Sequence, residues 1–171
     1  MLKTTFLAVL FAFGASLANA ADAPTDPQIA HIAYTAGQID VAAADLAIKK
    51  SSNDDIVAFA KQMAADHQAV NDQAVALVTK LGVTPEDNAT SQALSQAAAD
   101  KLAELEKLDG AAFDKAYIDN EVAFHATVNG ALSTMLIPSA QNAELKALLE
   151  TGLTLFTEHQ HHAEMVAANF Q

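Results

Sequence analysis

The sequence has no cysteine, tryptophan or arginine, and only six glycines and four prolines in 171 residues. Without cysteine there is no disulfide framework, thiolate metal site, cysteine nucleophile or thiol-linked lipid anchor. Without arginine there is no bidentate clamp for phosphate or carboxylate, and all nine basic residues are lysines. These face 21 acidic residues, for a net charge of −12, which repels nucleic acid and anionic lipid. No nucleic-acid partner is expected. Scarce glycine and proline beside abundant alanine favour helices over a sandwich or barrel. Catalytic signatures are missing too: no Gly-x-Ser-x-Gly, phosphate loop or dinucleotide fingerprint, and no Asp-x-Asp-x-Asp-Gly calcium loop. Glu-x-x-His, the ligand pair that di-iron carboxylate proteins repeat on two helices, occurs once, from Glu158 to His161, and is not repeated. No catalytic residue and no organic-cofactor site is assigned, and a non-enzymatic role is expected, the alternative being a metal-dependent redox or hydrolytic enzyme.

What is present begins with residues 1–20, which read as a signal peptide. Lys3 supplies the early positive charge, Phe6 to Leu17 is an apolar run of about a dozen residues, too short to span a bilayer comfortably, and Ala18-Asn19-Ala20 is a small-x-small cleavage site. The expected product starts near Ala21, is periplasmic or secreted, and keeps no membrane span.

The remainder, 21–171, reads as one all-α domain. A short leader with Pro24 and Pro27 precedes helix A, about Pro27 to Lys50, with a seam at Ile29, Ala33, Ala36, Asp40, Ala43 and Ala47. Ser52 or Asn53 caps helix B, which ends at Leu81 before Gly82. Its seam is Ile56, Phe59, Ala60, Met63, His67, Val70, Ala74 and Leu77. A shorter helix, 90–108, lies between B and C. Helix C runs from about Ala111 to Leu136 and stops before Pro138. Asn142 caps helix D, whose seam includes Leu145, Leu149, Gly152, Phe156 and His159. The short A–B and C–D links make antiparallel pairs, while the short helix has the length to carry the chain back along the bundle. This spacing predicts a four-helix bundle with the one-crossover topology of ferritin-like folds, the alternative being a plain up-down bundle with the short helix capping one end.

The candidate chemistry lies in the histidines. His67 and His159 fall on apolar seams, His125 on or beside one, and Asp40 on the seam of helix A. Carboxylates on a core face are costly unless paired or metal-bound, so their coincidence with histidines is informative. Counted from the turns, Asp40 and His67 differ in level by ~5 Å, His67 and His125 coincide, and His159 lies ~9 Å from His125, nearer to Glu121. One group, Asp40, His67 and His125, is therefore expected with Glu121 and His159 about a turn away. Imidazole and carboxylate donors from facing helices suit zinc, iron, manganese or copper. Met63 one turn before His67 and Met165 one turn after His161 keep copper in view. His162 can join His159 from three residues on. Alternatively, the seam histidines are core residues bonded to Asp, Tyr or backbone. Asn71 and Asn129, one turn beyond His67 and His125, have the spacing of interhelical hydrogen-bonding residues.

Three segments in order, Phe59 to His67 (FAKQMAADH), Phe113 to Asp119 (FDKAYID) followed by His125, and Asn142 to Leu148 (NAELKAL), resemble an exported bacterial family, domain of unknown function 4142. The resemblance implies a ferritin-like helical bundle in the cell envelope without an established activity. It also implies Asp40, His67, Asp119, His125 and His159 as shared polar positions, Asp119 as a supporting neighbour. Phe124 stands where an acidic residue is usual and Glu121 where an apolar one is. A partner in the envelope or a homo-oligomer is compatible with this reading.

Overall fold

Local chemistry sets the helix ends. In the computed structural model, which describes residues 23–170, the side chain of Asn53 accepts from the backbone N–H groups of Asp55 and Ile56, and that of Asn142 from those of Glu144 and Leu145. Each cap satisfies N–H groups that the first helical turn leaves unpaired. Gly82 ends its helix in the left-handed region, at φ 63°, where a side chain would be strained. The elements are α1 (Asp26–Lys50), α2 (Asp54–Leu81), α3 (Ala89–Leu105), α4 (Gly110–Ala131), α5 (Ile137–Ser139) and α6 (Ala143–Ala167). There is no strand among the described residues, and no helix there is long and apolar enough to cross a membrane. The expected signal peptide and the start near Ala21 lie outside the described residues.

Helix C differs from expectation at its end. It leaves α geometry at Ala131, and a π turn, Leu132–Leu136, leads into α5. Pro138 lacks an N–H, and its ring would crowd the carbonyl four residues back in a regular helix. The wider turn, closed by Ile137 N–H to the Leu132 carbonyl, carries the chain past it.

Polar ties at the two ends establish the topology. The Asp26 carboxylate accepts from the backbone N–H groups of Gln141 and Asn142, both at 2.8 Å, joining the starts of α1 and α6. At the other end Lys50 donates to the Glu106 carbonyl at 2.9 Å and pairs with Asp109 at 3.0 Å, fixing the end of α3 and the start of α4. Asn88, which caps α3, donates to the Gln28 carbonyl near the start of α1. Helix α3 therefore runs alongside α1 as the crossover, and α2 and α4 run parallel to each other. Helices α1, α2, α6 and α4 form the bundle, each packed against its two neighbours.

The core lies in two apolar clusters. One holds Ile56, Phe59, Met63, Phe113, Tyr117 and Ile118, the other Ile29, Ile32, Leu132, Leu136, Leu145 and Leu149. Asp40, His67, Glu121, His125 and His159 are buried in the stretches of helix between them, none more than 2% exposed. The helices thus fix a polar layer inside an otherwise oily bundle.

Candidate metal centre

Each of the four bundle helices sends at least one polar side chain into this layer: Asp40 from α1, His67 from α2, Glu121 and His125 from α4, and His159 from α6. Glu121 and His125 are one turn apart and face the same way. The Nε2 atoms of His67 and His125 lie 3.4 Å apart. The Asp40 carboxylate faces both, Oδ1 at 3.5 Å from His67 Nε2 and Oδ2 at 3.6 Å from His125 Nε2. Two donor-atom groups overlap at His125: His67, His125 and His159, and Asp40, Glu121 and His125. Within each, the candidate ligand atoms lie within 4.8 Å of one another.

The outer contacts orient the rings. His125 Nδ1 donates to the Glu121 carbonyl at 2.9 Å, leaving the Nε2 lone pair to face His67 and Asp40. His159 Nε2 donates to the Asp66 carboxylate at 3.0 Å, leaving Nδ1 free of a proton. Fixing one ring nitrogen by a carbonyl or carboxylate while the other stays basic is how proteins prepare imidazole for a metal. Phe156 stacks on His67 with ring centroids 4.5 Å apart and planes at 7°, setting the plane of that ring.

Electrostatics make the cluster costly without a cation. Burial pushes the Asp40 carboxyl up to about 7, although the Glu121 carboxyl beside it pulls the other way. Burial and then the Asp40 charge hold Glu121 well above the carboxylate range. Burial, followed by the charges of His125 and His159, drives His67 down to about 2. Burial also lowers His125 to about 4 and lowers His159, which Asp66 partly offsets. The metal-free cluster is therefore close to uncharged at neutral pH. Both Asp40 oxygens, Glu121 Oε2, His67 Nδ1 and His159 Nδ1 are buried without a hydrogen-bond partner. A purely structural role for the histidines accounts for His125 Nδ1 and His159 Nε2, but leaves the carboxyl oxygens and His159 Nδ1 unpaired, each at a cost of roughly 1–3 kcal/mol.

The expected residues are not all brought together as the spacing suggests. His159 does not stand a turn away: it shares a donor group with His67 and His125. A single turn residue at Ser139 would set His125 and His159 ~9 Å apart in level, but α5 ends at Ser139 and α6 begins only at Ala143. Counted from those ends, the two levels differ by ~3 Å. Asp119 lies on the exposed face of α4, paired with Lys115 at 3.0 Å, outside the layer. His162 packs edge-on against Phe59, with centroids 5.1 Å apart, and belongs to neither donor group. Met165 is 53% exposed, so a pairing with His161 would lie on the surface. Asn129 makes the expected interhelical bonds, donating to the Phe156 carbonyl and to Gln160. Asp66 was missed, and its one signal was adjacency to His67.

The model of one family, described as a domain of unknown function (DUF4142), matches residues 13–166, and the chain belongs to that family. No curated protein and no solved structure matches the chain.

Proposed function

We propose that this member of the DUF4142 family is an exported, ferritin-like helical bundle that holds one transition-metal ion in its interior. His67, His125, His159 and Asp40 serve as ligands, with Glu121 beside them. The observation that carries the reading is the spacing of the inward donor atoms. Two nitrogens 3.4 Å apart subtend about 110° at an ion bound at ~2.0–2.1 Å, close to the tetrahedral angle of zinc sites. The Asp40 oxygens, at 3.5 and 3.6 Å from those nitrogens, keep the same spacing. Glu121 supplies the second negative charge a divalent ion needs in a buried site. An imidazole-rich set with carboxylate suits zinc, iron, manganese or copper. The single crossover formed by α3 supports the ferritin-like architecture. Lys3, the short apolar run and Ala18-Asn19-Ala20 support export to the periplasm or medium.

Metal analysis of the purified protein tests this. Wild type is expected to carry one ion per chain and the His67→Ala, His125→Ala double variant none. Substoichiometric metal in both proteins, with stability indifferent to chelators, would return the histidines to a structural role and favour a partner-binding envelope protein.

Asp66 gives a sharper contrast. Losing an outer carboxylate that holds a ligand histidine lowers metal affinity by about 10–100-fold. Asp66→Asn is therefore expected to weaken binding in a chelator competition titration, whereas Asp119→Asn leaves it unchanged.

A further inference from the structure

Beside the polar layer, toward the end of the bundle where α1 begins, lies a cavity of about 80 Å³. Small residues make the space, among them Ala33, Ala36, Gly37 and Ala131, and the π turn contributes Leu132 and Leu136 to the wall. Such turns are frequent at functional sites. Phe156 is a wall of the cavity and at the same time stacks on His67, so the cavity and the proposed metal site share one ring as their partition.

One polar group on the wall has no structural explanation. Asn71 is 2% exposed, lies one turn beyond His67 on α2, and its Nδ2 is buried without a hydrogen-bond partner. The fold makes specific room for this side chain: a Cβ on Gly37 would stand 2.2 Å from Asn71 Oδ1. A lone amide donor on an apolar wall suits a molecule with one accepting atom better than it suits water, which needs two to four polar partners. The volume is well below the ~150 Å³ that admits benzene, which restricts the occupant to a few non-hydrogen atoms. No charged side chain lines the cavity, and an unpaired ion would be expelled.

We propose that this cavity is a binding chamber for a small uncharged molecule of diatomic size, placed by the Asn71 amide beside the metal ion and separated from it by Phe156. The link to the ion rests on the function proposed above; the chamber itself does not.

Dissolved dioxygen is a suitable probe because it has the right size and its paramagnetism speeds the relaxation of nearby protons. Methyl and side-chain amide relaxation is to be measured under oxygen and under nitrogen, on metal-free protein and after zinc addition. Val70, Leu132 and Leu149 methyl groups and the Asn71 amide are expected to show several-fold larger enhancements than Ile56 and Ile118 in the other half of the core. Ala36→Leu and, independently, Ala131→Leu are expected to remove the excess by filling the space. Enhancement no larger than at Ile56 and Ile118 would overturn the chamber whatever zinc does. Excess enhancement with no zinc-dependent shift of the His67, His125 or His159 rings would overturn the link to a metal and leave the chamber standing.

Discussion

Metal-free protein given zinc is expected to melt on the order of 10 °C higher, and the His67→Ala, His125→Ala variant to show no such shift. The size follows from linkage. Free ion at a thousand times its dissociation constant stabilises the folded state by ~4 kcal/mol, and 1 kcal/mol moves the melting point of a domain this large by about 2–4 °C. The fold justifies the assumption that the unfolded chain binds far less. Asp40, His67, His125 and His159 come from four different helices, so the donor set exists only when the bundle is assembled. The readout is each protein's difference with and without zinc, so any cost of truncating two buried imidazoles cancels. Glu121→Gln provides a second test: it keeps the packing, removes one negative charge and should reduce the shift. A full shift in the double variant would place the ion elsewhere.

The second large effect is a reversal of pH dependence. Without metal, stability is expected to change little up to about pH 6.5 and fall in alkaline solution. The carboxyl groups of Asp40, held at about 7, and Glu121, held well above its usual range, titrate near 4 once unfolded. Their contribution is fully present below that unfolded value and is lost as pH rises, because the unfolded chain has released protons that the folded one retains. Each such proton costs about 1.4 kcal/mol per pH unit. The histidines act in the opposite sense. His67 at about 2 and His125 at about 4 stay neutral in the folded state where the unfolded chain protonates them, below about 6.5, and the lowered His159 acts in the same direction. Their contribution is present above that value and is lost as pH falls toward the folded values. Below about 6.5 the histidines offset the carboxyl groups, and stability changes little there. Above it only the carboxyl groups act, and stability drops.

Bound metal ionises both acids within the fold, so the alkaline loss should disappear and acid should instead expel the ion. Urea midpoints between pH 5 and 9, with and without zinc, check this. The Asp40→Asn, Glu121→Gln variant is expected to lose the alkaline decline without needing metal. A flat profile above pH 7 in metal-free wild type would show that Glu121 is not held protonated.

Much of this arrangement is legible in the sequence because helices write their periods and ends locally. Asn53, Gly82 and Asn142 mark boundaries through hydrogen bonds made within a turn or two, and the seam positions of Asp40, His67 and His159 follow from the 3.6-residue repeat. The shared level of His67 and His125 was accessible because both helices begin at clear caps and run parallel. The level of His159 was not, because it depends on the π turn at 132–136 and the link at 140–142, where no periodic signal tells how far the chain advances. Asp66 was invisible for a related reason. It sits on the flank of α2, where nothing in the spacing separates it from a solvated acid, and only the approach of His159 from α6 gives it a role. Asp119 erred in the opposite direction: the family resemblance raised it, but its place on α4 turns it to solvent beside Lys115. Asn71 was recognised by spacing, yet its lack of a partner becomes visible only once Gly37 is packed against it.

The most direct test of the central claim is X-ray absorption at the edge of whatever metal the purified protein carries. The expected spectrum has nitrogen and oxygen neighbours at about 2.0–2.2 Å, with outer-shell scattering from three imidazole rings that disappears in the His67→Ala, His125→Ala variant. A stoichiometric metal surrounded only by oxygen, or an imidazole signal unchanged in that variant, would contradict the interior site.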